Sequence, residues 1–413
     1  MNWGFKGWGF AGGAFFSLLI SVVEQPAHAE WSTRAKAEIE RVSAMPPIAM
    51  RGGEHATVWG AVRAQAYALL PWKKPQNYKR VDIPVQGGMV PVSIITQTVL
   101  GMPRPAPLMV VLPGMGGDSD DASTMRLFAR FKEKGFHVVS IANPWSPSYI
   151  ANAPRHEPGS VELEAKVILQ ALRVVVRQLK IQGPIAITGR SYGGLLAAAV
   201  YAVQKEEGLI RGAVTIMGPP LRLDLGIARF DEMFQDAWDL EDRRVCDLSF
   251  LRKLMLGVTT AIYEENRELP LGRAECASAL ITDGFHSGLQ RAAHAINLRD
   301  RSARRVPARL SMSEFTRDYS PTNYAKIGFS DEGNLSHWIC SISPDARRRL
   351  RILAAVDDFL TAGLRPSFQD TLAEGCPDGT RFADAVFLPW GGHLGFEGLD
   401  WFRAFTRRFL NEL

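Results

Sequence analysis

Apolar residues in this chain come in short unbroken runs of strand length, separated by longer stretches with helical periodicity. Runs at 107–112, 137–142, 185–190, 212–217, 350–356 and 385–388 are rich in branched aliphatic residues, the composition of strands buried on both faces. Between them, residues near 122–134, 161–180 and 192–207 read as helices. In the helix after Ser160, Leu163, Val167, Ala171, Val174 and Val175 fall on one face, and Lys166, Gln170, Arg173 and Arg177 on the other. Alternation of this kind predicts an α/β fold: a mostly parallel sheet flanked by helices. Ahead of it, 80–85 and 90–99 read as a hairpin joined at Gln86-Gly87-Gly88, and 31–75 as helical and irregular. Trp401, Phe402, Phe405 and Phe409 predict a closing helix packed on the sheet.

The rhythm breaks after Pro220 and resumes near Arg349. The predicted organisation is therefore a core of residues 30–220 and 350–413, interrupted by a helical lid insertion at 221–349. Residues 1–29 read as a signal peptide: Lys6, an apolar stretch from Phe10 to Val23, and Ala27-His28-Ala29 as a cleavage site. The apolar stretch is short for a bilayer span, so the expectation is a periplasmic or secreted protein cleaved near Ala29.

Export changes how the four cysteines are read. Cys246, Cys276, Cys340 and Cys376 show no metal-ligand spacing, and an oxidising compartment favours disulfides among them. Three connectivities exist; Cys246 with Cys276 and Cys340 with Cys376 are the nearest pairs in sequence. The net charge of +5 is mild for 413 residues. The densest basic run, Arg299, Arg301, Arg304, Arg305 and Arg309, lacks the interleaved aromatics of a nucleic-acid surface. It reads as a solvated helical ridge on the insertion, with peripheral contact to an anionic membrane surface as the second reading.

The chemistry is concentrated at Gly189-Arg190-Ser191-Tyr192-Gly193, a G-x-S-x-G motif between a strand run and a helical run. That context holds a serine on a sharp turn with its hydroxyl projecting outwards. A serine hydroxyl needs a base, and the base needs an orienting acid. Asp357 and Asp358 end the run at 350–356, and His393 lies among glycines after the run at 385–388. Serine, then acid, then histidine is the α/β-hydrolase order. Pro113-Gly114-Met115-Gly116-Gly117 follows the strand at 107–112, so the Met115 amide, with that of Tyr192, is the expected oxyanion hole. No phosphate loop or H-E-x-x-H cluster is present in the sequence, and no cofactor or metal is implied.

With these residues the chain resembles the YheT-like family of α/β-hydrolases. Pro46-Pro47 and the segment from Arg51 to Trp59 are similar to that family's entry motif. The segment Ser313 to Pro321 with Gly328-Phe329 resembles the stretch that precedes its acid, and Gly391 to Phe396 its G-G-H-x-G-F motif. The resemblance implies an α/β-hydrolase fold with Ser191, Asp358 and His393 as the triad; Asp358 stands three positions after Ala355, the small residue closing the strand. Here Pro113-Gly114 replaces the family's His-Gly, Asn143-Pro144-Trp145 its Arg-Gly-Cys, and Ala56 its glutamine. The expected function is cleavage of carboxylic esters, with acyl or lipid-like small molecules as substrates. An acyltransferase or thioesterase using the same triad, and a binding protein that keeps the fold, are the alternatives.

Overall fold

The structure, a computed structural model, describes residues 52–54, 56–61, 77–99, 102–133, 135–154, 157–204, 208–247, 274–324, 331–379, 384–398 and 402. The signal segment and the closing helix, apart from Phe402, lie outside these residues, as do Pro46-Pro47, Arg51, His55 and Gly328-Phe329. Among the described residues no helix is long and apolar enough to cross a membrane.

Eight strands form one sheet: β1 (Tyr78–Val85), β2 (Gly88–Ile95), β3 (Leu108–Leu112), β4 (His137–Ile141), β5 (Ile185–Arg190), β6 (Val214–Met217), β7 (Leu350–Ala355) and β8 (Asp384–Leu388). Their spatial order is β1-β2-β4-β3-β5-β6-β7-β8. The β1–β2 and β2–β4 pairings are antiparallel, and all the others are parallel. This is the α/β-hydrolase fold. The expected strand at 90–99 ends earlier, at Ile95.

Strand geometry explains why the central runs are apolar throughout. Successive side chains point to opposite faces, so Leu108, Val110 and Leu112 of β3 join one core while Met109 and Val111 join another. Helices α3 (Val161–Leu179) and α4 (Tyr192–Val203) cover the first face. Helix α1 (Ala122–Glu133) covers the second, through Leu127, Phe128 and Phe131, together with Val58, Trp59, Phe396 and Phe402. A short helix, α2 (Pro147–Asn152), starts from an N-cap in which Ser146 accepts from the Tyr149 amide.

One predicted helix face needs correction. Val167, Ala171 and Val175 are buried as expected, but Leu163 is 43% exposed and Val174 only partly buried, and Val161, Ala165, Ile168 and Leu172 complete the buried surface. The buried face is broader than the reading above and takes in Glu164, which lies fully inside.

Between the neighbouring strands β6 and β7 the chain passes through α5 (Leu223–Asp242), α6 (Ala274–Asp300), α7 (Met312–Tyr319) and α8 (Leu335–Cys340). The cysteines are paired as Cys246–Cys276 and Cys340–Cys376. The first bond joins the segment after α5 to the start of α6. The second ties the end of α8 to the loop after α9 (Phe368–Glu374). With separations of 30 and 36 residues, each cross-link restricts the unfolded chain by about 3–4 kcal/mol.

The basic run also differs from expectation. The helix ends at Asp300, so only Arg299 belongs to it. Arg309 pairs with Asp242, and the Arg304 guanidinium lies 5.2 Å from the Tyr319 ring centroid. The remaining arginines lie on a loop, not a helical ridge, and are exposed as expected.

Candidate active site

Four loops at the carboxyl ends of parallel strands supply the site: those after β3, β5, β7 and β8. Neighbours β3 and β5 flank the point where the strand order reverses, the usual place for a crevice in such sheets.

Ser191 sits between β5 and α4 with φ 54° and ψ −127°. A non-glycine residue at positive φ is strained and needs surroundings that enforce it. The Ser191 amide donates to the Met217 carbonyl at 2.8 Å, and the Gly194 amide returns to the Ser191 carbonyl at 2.7 Å. The flanking glycine is a packing requirement: a Cβ on Gly193 would stand 2.3 Å from the Pro113 carbonyl oxygen.

The loop after β3 is a turn in which the Gly117 amide donates to the Gly114 carbonyl at 2.9 Å. Asn143 braces it from the end of β4. Its side-chain amide donates to the Pro113 carbonyl, its backbone N–H donates to the Gly117 carbonyl, and its Oδ1 accepts from the Trp145 amide, each at 3.0 Å. Met115 and Gly116 thereby line the cavity beside Ser191. Tyr192 is the first residue of α4, where the backbone N–H has no acceptor within its own helix.

Asp358 is wholly buried, and its Oδ1 accepts from the Leu360 amide at 3.0 Å. Its two oxygens lie 2.9 and 3.1 Å from His393 Nδ1. Asp357 points elsewhere, accepting from the Gly392 amide at 2.8 Å. Of the two adjacent aspartates, only Asp358 is hydrogen-bonded to the imidazole. Because Nδ1 is engaged there, Nε2 is the ring nitrogen left for the cavity. Ser191 and His393 line the same cavity of about 470 Å³. The Ser191 hydroxyl makes no hydrogen bond to the imidazole in this structure; such contacts tighten when a substrate is bound.

The histidine loop is held by the segment at 53–60. The His393 amide donates to Thr57 Oγ1 at 2.7 Å, and that hydroxyl donates to the Gly53 carbonyl. Gly392, at φ 54°, lies so close that a Cβ would come within 1.9 Å of the Gly53 oxygen. The entry motif thus acts on the site through backbone contacts, which its residue types alone do not disclose.

A second buried tie joins the serine turn to the histidine loop. Arg190 meets Glu397 in a bidentate pair, with both contacts at 2.7 Å, and its Nη1 donates to Ser123 at 2.6 Å. Burial opposes the guanidinium charge, but Glu397 outweighs it and the pKa lies above the ordinary arginine value. Arg190 is the variable residue of the serine motif and Glu397 stands four positions after His393. Their pairing was not foreseen because no spacing rule links them.

Glu164 is a further buried ionisable group beside the site. It accepts from the Tyr192 hydroxyl at 2.6 Å and from the Gly159 amide at 2.7 Å. Burial raises its pKa from the ordinary 4.5 to about 7, against the opposing effect of those two hydrogen bonds. Between these values the folded protein keeps a proton that the unfolded chain has released, so stability falls as pH rises from 4.5 to about 7 and then levels. A difference of that size corresponds to on the order of 3 kcal/mol. Glu164→Gln removes the charge: its Oε1 still accepts from the Gly159 amide, while its Nε2 donates to the Tyr192 hydroxyl oxygen and reverses that bond. Urea midpoints measured across this pH range are expected to decline in the parent and to stay flatter in the variant.

No family model matches this chain, and no curated protein matches it in sequence. By structure it is similar to an esterase from Pyrococcus furiosus, with a TM-score of 0.46 and 11% identity, covering 81% of this chain and 90% of that one. It is also similar to the naproxen esterase of Bacillus subtilis (0.42, 14%, covering 86% and 98%) and to an esterase from Rhizomucor miehei (0.47, 14%, covering 91% and 94%).

Proposed function

We propose that this protein is an exported serine hydrolase that cleaves carboxylic esters of acyl or lipid-like character. One observation carries the reading: Ser191, on a strained turn, shares a cavity with an imidazole whose Nδ1 is held by the buried Asp358 carboxylate. Ser191 Oγ attacks the ester carbonyl while His393 Nε2 takes its proton. Negative charge develops on the carbonyl oxygen and is met by the amides of Tyr192 and Met115, each such donor contributing about 3 kcal/mol in the transition state. Collapse breaks the bond to the alcohol oxygen, which leaves with the proton carried by His393. Water, deprotonated by the same nitrogen, then releases the acid and restores Ser191. Asp358 keeps the ring in the required tautomer and stabilises the imidazolium.

Export is supported by the leader-like first 29 residues and by the two disulfides, which persist in oxidising compartments. The intervening helices α5 to α7 contribute cavity walls and are read as the lid. A fluorophosphonate probe, which reacts with activated serines, tests the proposal. Folded protein is expected to label and Ser191→Ala to remain unlabelled; absence of Ser191-dependent labelling would leave a binding protein with this fold as the better reading.

A further inference from the structure

The cavity that holds Ser191 and His393 is walled on one side by the inserted helices. Phe230 and Phe234 of α5 and Leu280, Ile281, Phe285 and Leu289 of α6 contribute there. A run of ring contacts links this wall to the imidazole through Phe359. The His393 ring lies 5.0 Å from Phe359, Phe359 lies 5.6 Å from Phe230, and Phe230 meets Phe285 edge to face at 4.8 Å. Phe285 is flanked by Gly284, and Gly288 follows one turn later; both glycines also line the cavity.

These two glycines differ from those of the serine and histidine loops. A Cβ on Gly193 or Gly392 would collide with backbone, so those positions are glycine because the chain packs against itself. Around Gly284 no described atom lies within 4 Å of where a Cβ would stand, and at Gly288 the nearest is Arg291 Nη2, at 3.9 Å. Each glycine in a helix interior costs about 1 kcal/mol relative to alanine, and no close contact among the described residues accounts for that cost. What they leave is a trough along α6 inside the active cavity. It runs about 10 Å from Gly284 to Arg291, at 1.5 Å of rise per residue; both ends are exposed and Gly288 between them is half-buried.

We infer that the trough over Gly284 and Gly288 receives the hydrocarbon chain of an ester substrate and sets the chain length the enzyme accepts. This rests on the hydrolase reading above and narrows its substrate class to esters with an extended apolar chain, on the acyl or the alcohol side. The trough is apolar along its wall, shares its cavity with Ser191 and His393, and is open at both Gly284 and Arg291, so a long chain has room to continue.

The test compares the full-length processed protein with Gly284→Leu and Gly288→Leu, made separately. Leucine is a strong helix former, and the melting temperature together with fluorophosphonate labelling reports whether each variant is intact. Two substrate series are used: p-nitrophenyl acetate, butyrate, octanoate and laurate for the acyl side, and ethyl to dodecyl acetates for the alcohol side. In whichever series occupies the trough, kcat/KM for the longest member is expected to fall at least tenfold in each variant, while the shortest stays within about twofold. Leu298→Ala, at an exposed position of the same helix away from the cavity, is expected to keep the parent profile. An unchanged ratio of long-chain to short-chain rates in both series, in variants that still label, overturns the inference. So does a protein that labels at Ser191 yet turns over neither series. Loss of labelling in the parent itself is a different result, because it removes the hydrolase reading and this inference with it.

Discussion

Replacing Asp358 with asparagine is expected to lower kcat by about four orders of magnitude, while Asp357→Asn stays within about twofold of the parent. The two residues are adjacent and chemically identical, but their side chains serve different partners. Asp358 holds His393 Nδ1 and is wholly buried. An asparagine there presents an amide in place of one carboxylate oxygen, favours the tautomer with the proton on Nε2, and so deprives Ser191 of its base. Asp357 accepts from the Gly392 amide, and an asparagine Oδ1 accepts the same hydrogen bond. Steady-state hydrolysis of a p-nitrophenyl ester by the two variants, with circular dichroism to establish folding, is the check. A large loss in Asp357→Asn alone would transfer the role to that residue.

Glu397→Leu is expected to destabilise the fold by about 3–5 kcal/mol, because it strands the Arg190 guanidinium in a buried site. The double variant Arg190→Met with Glu397→Leu removes both charges, and buried pairs exchanged for apolar residues of similar size are often neutral in stability. Denaturant unfolding should therefore return to within about 1–2 kcal/mol of the parent. Turnover should not return with it. The pair fastens the residue before Ser191 to the loop after His393, and kcat of the double variant is expected to stay at least tenfold low. Full recovery of both quantities would show the pair to be structural ballast with no bearing on how the site is aligned.

The parts of the molecule most legible in the sequence are those whose local rule and tertiary role coincide. Leu108 to Leu112 is apolar throughout because both faces of β3 are covered, and a continuous run announces that directly. Ser191 and His393 sit among glycines that local crowding demands, so their motifs are visible without a structure. Glu164 was hidden for the opposite reason. A charged residue in a helix is assigned to the solvent face, and here the partner that reverses the assignment, Tyr192, lies 28 positions away. Thr57 and Asn143 were likewise invisible as site residues, since they act through backbone atoms of His393, Pro113 and Gly117. The basic run was misread because five arginines suggest a ridge, whereas Asp242 and Tyr319 anchor it as a loop.

The hydroxyl of Thr57 and the amide of His393 meet across 336 positions of sequence. Contacts so remote in sequence form late, because the intervening chain must be ordered first. During synthesis the nucleophile's strand and helix emerge well before residue 393. On the proposed reading, a partly made chain carries Ser191 without the imidazole that would serve it, until segments 336 positions apart in sequence meet.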